Sequence, residues 1–253
     1  ASAVLGMLPA GASVTGSVTV VTADRRIDPF TDSSFRGRDV GLVPQSASSY
    51  LTPVRTARSQ LEETIRVLAS GRTSEELARM VGLDPAHLDR YPHELSGGMA
   101  QRVAFAGALV GDPAVIIADE PTANLDRELA DRVLGLLRRS ADDGAAVLLI
   151  THDLASLMRS EVADRVAVMY ASRIMETGPA SLVFEDPLHD YTRDLLGALP
   201  SRGLMPIPGM PPQLTDLPDE CVYHLRRPTS VHSGGRTALV TVGQRSYRTR
   251  VSA

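Results

Sequence analysis

The stretch Tyr91-Pro92-His93-Glu94-Leu95-Ser96-Gly97-Gly98-Met99-Ala100-Gln101-Arg102 joins a polar loop to an apolar helix predicted to continue over Val103–Val110. A Ser-Gly-Gly sequence at a helix start offers backbone N–H groups, a hydroxyl and the positive end of the helix dipole, which together can bind an anion. Glycine also lets a phosphate approach the backbone closely. Taken alone, such a tripeptide is more often an ordinary loop. The anion site predicted at Ser96, Gly97 and Gly98 therefore depends on the residues around it.

An apolar run further along the chain ends in two acidic residues. Ala114–Ala118 is predicted to be a strand buried on both faces, and Asp119 and Glu120 follow it. Ligands of open α/β sheets collect at the carboxyl ends of the strands, so Asp119 is predicted to hold Mg²⁺. Successive strand residues point to opposite faces, so Glu120 is predicted to polarise an attacking water. A lone Asp-Glu pair more often only ends a strand at the surface; the following Pro121 and the Asn124–Asp126 turn favour the functional interpretation.

Two more polar side chains follow predicted strands. Val40–Val43 leads through Pro44 to Gln45, and Ala145–Ile150, a second strand that is predicted to be buried, is followed almost directly by His152. At this sheet edge His152 can contact a γ phosphate, and Gln45 can reach the metal or the water. A histidine here could equally cap the next helix or be satisfied in the core, and a lone glutamine is usually an ordinary loop amide.

The remaining pattern alternates between strands and helices, which predicts a parallel sheet covered on both faces. The prolines beyond Leu199 predict a C-terminal extension without regular structure. The other predicted elements are the end of a helix at Ala1–Leu8, a strand at Val18–Val21, a helix at Arg55–Ala69, a helix after a capping box at Thr73 and Glu76 that stops at Gly82, a helix at Arg127–Ser140, a helix at Leu154–Ser160 and a third sheet strand at Val166–Tyr170.

Composition limits the possible functions. The chain has 253 residues and a formal charge of −4, so it lacks the basic excess that would favour nucleic acid as a partner. Its basic side chains are all arginine, so a phosphate loop of the form G-x-x-x-x-G-K-[ST] is absent from these residues. A single cysteine, Cys221, excludes an internal disulfide and a four-cysteine metal site within one chain. The sequence shows neither a bilayer-spanning apolar run nor a signal-peptide pattern.

Together these motifs resemble the ATP-binding cassette (ABC) ATPases. The resemblance is carried, in chain order, by Gln45, Leu95–Gln101, Val115–Glu120, Asn124–Asp126 and Thr151–Asp153. A narrower similarity to the ATPase subunits of peptide and nickel importers is carried by Gln45–Arg55, Tyr91–Arg102, Pro187–Pro200 and Pro206–Cys221.

The resemblance implies an α/β fold with a P-loop NTPase-like parallel sheet core and a helical subdomain. The expected divisions are a partial ATPase core (1–45), a helical subdomain that carries the signature (46–100), the rest of the core (101–185) and an importer-type C-terminal extension (186–253). Leu5–Pro9 resembles the end of the helix that follows the phosphate loop in this family. We therefore expect a chain truncated before that loop, without the N-terminal strands, and with little or no ATP hydrolysis of its own.

The resemblance also implies roles for the residues singled out above. Gln45, Glu120 and His152 would be the catalytic set, and Asp119 with Gln45 would hold Mg²⁺. The residues expected to meet ATP, bound mainly to a partner subunit, are Ser96, Gly97, Gly98, Gln101 and Asp126.

The first functional hypothesis is the ATP-hydrolysing subunit of an ABC importer for peptides or a related small solute such as nickel. Its expected partners are a second ATPase subunit, identical or not, the transmembrane permease subunits and, indirectly, an extracytoplasmic solute-binding protein. The expected location is the cytoplasmic face of the cell membrane. Two alternatives stay open: a non-catalytic subunit that donates only its signature to a heterodimer, and a soluble ABC protein outside transport.

Overall fold

The computed structural model describes residues 2–123, 125–215, 217–226 and 235–251, without the side chains of residues 48 and 49. Asn124, the first residue of the predicted turn, lies outside the described residues. The chain divides into two compact units, Ala1–Ser156 and Leu157–Ala253. Among the described residues, no helix has both the length and the apolarity needed to cross a bilayer.

The first unit mixes short strands with helices. Its strands are β1 (Val20–Val21), β2 (Arg26–Ile27), β3 (Val40–Val43), β4 (Val115–Asp119) and β5 (Ala146–Ile150), and its helices are α1 (Ala47–Tyr50), α2 (Ala57–Leu68), α3 (Ser74–Met80), α4 (Gly97–Ala108) and α5 (Arg127–Asp142), with short 3₁₀ turns at Pro85–Asp89 and Pro92–Glu94. Helix α6 (Leu154–Ser160) contains the division between the units.

The predicted parallel sheet is present as β3-β4-β5. The apolar residues of β3 and β4 pack against the N-terminal segment, in a core of Leu5, Val20, Ile27, Phe35, Val40 and Ile117. The prediction that β5 is buried is wrong, because within the described residues it pairs with β4 alone and its Leu148 is 44% exposed. The predicted helix end at Ala1–Leu8 is also wrong: residues 2–6 form turns.

Between β3 and β4, helix α3 begins at a side-chain cap and is tied to its neighbours by ion pairs. Thr73 caps α3, accepting the Glu76 N–H while the Glu76 carboxylate accepts the Thr73 N–H, as the capping-box pattern predicts. Arg58 of α2 pairs with Glu75 of α3 and with Asp89 in the following 3₁₀ turn. These contacts link the elements that lead to the signature.

The second unit is built on an antiparallel sheet of order β6-β7-β9-β8. Its elements are β6 (Arg165–Tyr170), β7 (Arg173–Pro179), α7 (Ala180–Glu185), α8 (Asp190–Gly197), a 3₁₀ turn at Pro200–Arg202, α9 (Val222–Arg226), β8 (Thr237–Val242) and β9 (Arg245–Arg250). The C-terminal region therefore contains more regular structure than its prolines predict.

The predicted third strand exists but belongs to this antiparallel sheet, which corrects the expectation of a parallel one. Only Ala171 and Ser172 connect β6 to β7, and both have positive φ, 47° and 62°. Positive φ at both central residues is the geometry of a tight hairpin turn. Two residues cannot make the long crossover that parallel neighbours need.

Candidate functional site

The candidate site lies at the carboxyl edge of the three-stranded sheet, where β4 ends. The backbone of Glu120 extends the ladder by one more bond, donating its N–H to the Ile150 carbonyl at 2.8 Å. Glu120 then takes a left-handed conformation, with φ of 47°. A non-glycine residue seldom adopts this conformation, and such strain is commonest at functional positions. The change of direction decides where the Glu120 side chain goes.

The Glu120 carboxylate meets His152 at this edge. His152 Nδ1 lies 2.7 Å from Glu120 Oε1, although the residues are 32 positions apart. They meet because β4 and β5 are adjacent parallel strands, with Asp119 opposite Ile150. The prediction that both side chains lie at one sheet edge is confirmed by this contact, whereas their roles stay predictions.

The two members of the pair differ in exposure. The His152 side chain is 80% exposed and that of Glu120 18% exposed. The hydrogen bond to Glu120, together with the charge of that carboxylate, raises the pKa of His152 above its usual value. Since Nδ1 is occupied by Glu120, the rest of the exposed ring remains open to a ligand.

The predicted metal ligands lie near the carboxyl ends of β3 and β4. Asp119 is half-buried at the end of β4. Gln45 is exposed and directly follows Pro44, just after the neighbouring strand β3. Within the described part of the chain, His, Cys, Asp and Glu side chains nowhere group in threes as metal ligands. One carboxylate and one amide still fit Mg²⁺, which keeps waters and takes phosphate oxygens as its other ligands.

The three signature residues face different surroundings. Ser96 is exposed and caps α4, its hydroxyl accepting the Met99 N–H at 3.2 Å. Gly97 is exposed, and a Cβ added there would meet no atom within 4 Å. Gly98 is buried instead, and a Cβ there would lie 2.7 Å from a methyl carbon of Leu129. Ser96 and Gly97 are thus open to a ligand, while Gly98 allows α4 to pack against α5.

Gln101 and Asp126 make contacts within the chain. Gln101 is 4% exposed, and its side-chain amide donates to the Pro44 carbonyl at 3.1 Å. Asp126 is exposed and caps α5, its carboxylate accepting the Leu129 N–H at 2.9 Å. The expectation that Gln101 and Asp126 meet ATP stays a prediction.

Two features of the site were not predicted from the sequence. The left-handed backbone at Glu120 had a weak signal in Pro121, since a residue that precedes proline is biased away from the right-handed helical region. The contact between Gln101 and Pro44 spans 57 residues and had no local signal.

Two sequence families match this chain. The family described as ABC transporter matches residues 2–123. The family described as oligopeptide/dipeptide transporter, C-terminal region, matches residues 175–233.

Individual relatives agree with these matches. A Brucella ovis protein named for ATP binding in peptide import is 38% identical over 240 residues, which are 87% of this chain and 70% of the relative. The oligopeptide transport ATP-binding protein OppD of Mycobacterium tuberculosis is 40% identical over 245 residues, 90% of this chain and 40% of the relative.

A solved structure supports the fold. It is a dimeric ATP-binding cassette in a post-hydrolysis state bound to ADP and Pi, with a TM-score of 0.53 and 26% identity. The match covers 64% of this chain and 72% of that one.

Proposed function

The chain belongs to the ABC transporter family, and from this premise we propose that it is the ATP-binding subunit of an importer that takes up peptides or a related small solute. The observation that carries the proposal is the contact between Glu120 and His152 at the carboxyl edge of the sheet. The match of residues 175–233 to the oligopeptide/dipeptide transporter region supports an importer over a soluble ABC protein outside transport.

The Glu120 carboxylate is the group that accepts a proton from the attacking water. It is largely screened from solvent, and its position is fixed by the turned backbone and by the hydrogen bond to His152. A fixed carboxylate within reach of water suits general-base work better than a mobile one, because its orientation is set before the reaction.

His152 holds Glu120 through Nδ1 and presents the rest of its exposed ring to the γ phosphate. The raised pKa favours the imidazolium, which donates hydrogen bonds from both nitrogens. Such charge-assisted donors stabilise a phosphate oxygen more strongly than neutral ones.

Asp119 and Gln45 are the side chains that would hold Mg²⁺. The bound ion supplies charge neutralisation for the phosphates. Ser96 and Gly97, at the exposed start of α4, are open to the phosphates of ATP bound mainly to a partner ATPase subunit. The permease is the further partner, and the subunit works at the cytoplasmic face of the membrane.

Uptake in the organism that encodes the chain tests this function. Glu120→Gln keeps the shape of the side chain but removes the proton acceptor, so uptake of a labelled oligopeptide is expected to fall by about 100-fold or more. Parallel assays with labelled Ni²⁺ distinguish the two solute classes. Glu128→Gln, an exposed glutamate paired with Arg132 on α5, is the matched control and is expected to retain uptake. Unchanged uptake of both solutes in the Glu120→Gln strain would refute the proposal.

Purified protein gives a second test. We expect the 253-residue chain alone to hydrolyse Mg-ATP feebly or not at all, because it contains no phosphate-loop lysine. Rapid turnover that disappears in Glu120→Gln would show instead that these residues form a complete site.

A further inference from the structure

We propose that Gln101 is a positioning residue that holds Gln45 in a fixed place relative to the start of the signature helix α4. The inference rests on the proposed function, since Gln45 matters to the reaction only if nucleotide binds at this sheet edge. It gives Gln101 an internal role in place of the nucleotide contact predicted from the sequence.

Gln101 is buried and makes a hydrogen bond within the protein. Its side chain is 4% exposed, and its amide nitrogen lies 3.1 Å from the Pro44 carbonyl oxygen. A buried amide that leaves water needs a partner within the protein, so this hydrogen bond is required once α4 packs here.

Pro44 makes the contact more restrictive than an ordinary side-chain hydrogen bond. The proline ring fixes φ of residue 44 near its single allowed value. The hydrogen bond from Gln101 fixes the direction of the carbonyl and hence ψ of the same residue. The Pro44 carbonyl shares a planar peptide unit with the nitrogen and Cα of Gln45. Gln101 therefore fixes the position of the Gln45 Cα, to which the exposed Gln45 side chain is attached.

The start of helix α4, which carries Gln101, is also held in place. Helix α4 is capped by Ser96, and its first turn packs against Leu129 through Gly98. Gln101 lies about one turn beyond the exposed Gly97. A displacement at the start of α4 would thus be transmitted to the peptide plane before Gln45 through one buried hydrogen bond.

Hydrogen exchange of the whole chain without nucleotide tests the positional role. Gln101→Met keeps the side-chain volume and removes the donor, so the backbone amides of residues 45–51 are expected to exchange about fivefold faster. Circular dichroism confirms that the variant is folded.

Gln101→Glu supplies the readout that a merely structural role would not produce. Its ionised carboxylate repels the Pro44 carbonyl, but the protonated acid can donate an O–H to it. After correction for intrinsic exchange, protection of residues 45–51 should recover in Gln101→Glu as the pH falls from about 8 to about 5.5, and should not recover in Gln101→Met.

Gln60 provides the matched control. Its amide also donates to backbone carbonyls, those of Thr52 at 3.1 Å and Arg55 at 3.0 Å. Gln60→Met should loosen the segment around these two residues and leave the exchange of residues 45–51 unchanged. Wild-type exchange at residues 45–51 in Gln101→Met, or no pH-dependent recovery in Gln101→Glu, would overturn the positional role.

Solute uptake separates this inference from the proposed function. Gln101→Met is expected to reduce labelled oligopeptide uptake about tenfold, because a misplaced polar group costs rate even without direct chemistry. Normal uptake in that strain, while Glu120→Gln abolishes it, overturns the role of Gln101 in the reaction. Normal uptake in the Glu120→Gln strain refutes the proposed function, and the exchange data then decide the local role of Gln101 alone.

Discussion

Each unit of the molecule brings histidine together with acidic side chains, but the solvent around them differs. In the first unit His152 is 80% exposed beside Glu120. In the second, Cys221 lies 3.6 Å from His189 and His224 lies 3.4 Å from Asp190, with Cys221, His189 and His224 all buried. The exposed ring of His152 can meet a ligand and exchange protons with water. The buried cluster is shielded from water and from external reagents.

The largest effect is expected from a buried acid in the second unit, Glu176. The Glu176 carboxylate is fully buried and accepts the N–H groups of Leu188 at 2.9 Å and His189 at 3.0 Å. Glu176→Ala leaves the buried N–H of His189 and the partly buried N–H of Leu188 without their acceptor, so we expect the free energy of unfolding to fall by about 4 kcal/mol. Urea denaturation followed by circular dichroism measures the loss. The exposed Glu185→Ala should change it by less than about 0.5 kcal/mol, and a similar small effect for Glu176→Ala would contradict the assigned role.

In the first unit the adjacent glycines of the signature should respond oppositely. Gly98→Ala places a Cβ 2.7 Å from Leu129, so we expect a loss of about 1 to 2 kcal/mol, limited because the leucine can shift. Gly97→Ala meets open space and should be neutral or slightly stabilising. Thermal unfolding of both variants gives the comparison. Equal effects would mean that α4 does not pack on α5 through Gly98.

The buried cluster predicts an acid-sensitive second unit. Burial alone would raise the pKa of the Cys221 thiol, but hydrogen bonds from His189 and His224 hold that pKa down at about 5. A depressed pKa contributes stability that is fully present above the unfolded value of about 8.5 and is lost as the pH falls through the folded pKa of about 5.

The pKa of His224 is raised, chiefly by its hydrogen bond to Cys221, so its own contribution has the opposite sign. It is present below about 6.5 and is lost as the pH rises through the raised value. Thiolate absorbance at 240 nm should persist below pH 7 in the native chain and vanish in Cys221→Ser. A thiol that titrates near its ordinary value would refute the pairing.

The smallest effect is expected at the pair of Glu120 and His152. The hydrogen bond to Glu120 raises the pKa of His152, so the charged pair is fully present below the unfolded value of about 6.5 and is lost as the pH rises through the folded pKa. Nuclear magnetic resonance of the His152 ring protons measures that pKa. Glu120→Gln should return it towards the ordinary value, whereas Glu128→Gln should leave it unchanged. An unaltered His152 pKa in Glu120→Gln would contradict the contact between the two side chains.

Local patterns predicted much of the first unit. Strand β3 has the predicted bounds Val40–Val43, and α6 the predicted bounds Leu154–Ser160, because hydrophobic spacing and flanking residues mark such elements directly. The capping box at Thr73 is likewise a short-range signal. The place of Glu120 and His152 at one sheet edge was predictable because the carboxyl ends of adjacent parallel strands lie side by side. The two side chains are in contact there.

Strand pairing in the second unit was not predictable in the same way. Residues 166–170 read as a strand, but periodicity does not say which partner a strand takes. The partner was decided by the positive φ of Ala171 and Ser172, and neither is the glycine, asparagine or aspartate that favours positive φ in a tight hairpin turn. The exposure of β5 likewise depends on which neighbours it has, not on its own apolar residues.

The sequence by itself determined the family, the parallel α/β core and the identity of the polar groups at its edge, because each depends on short motifs or on regular spacing. Only the tertiary structure decided that Gly98 packs while Gly97 stays open, that Gln101 points to Pro44, and that Glu120 turns towards His152. Those outcomes depend on which side chains meet across 30 or more residues, as with the 31 from Gly98 to Leu129 and the 57 from Pro44 to Gln101. No local pattern contains that information, since contacts between distant segments form only when whole elements pack together.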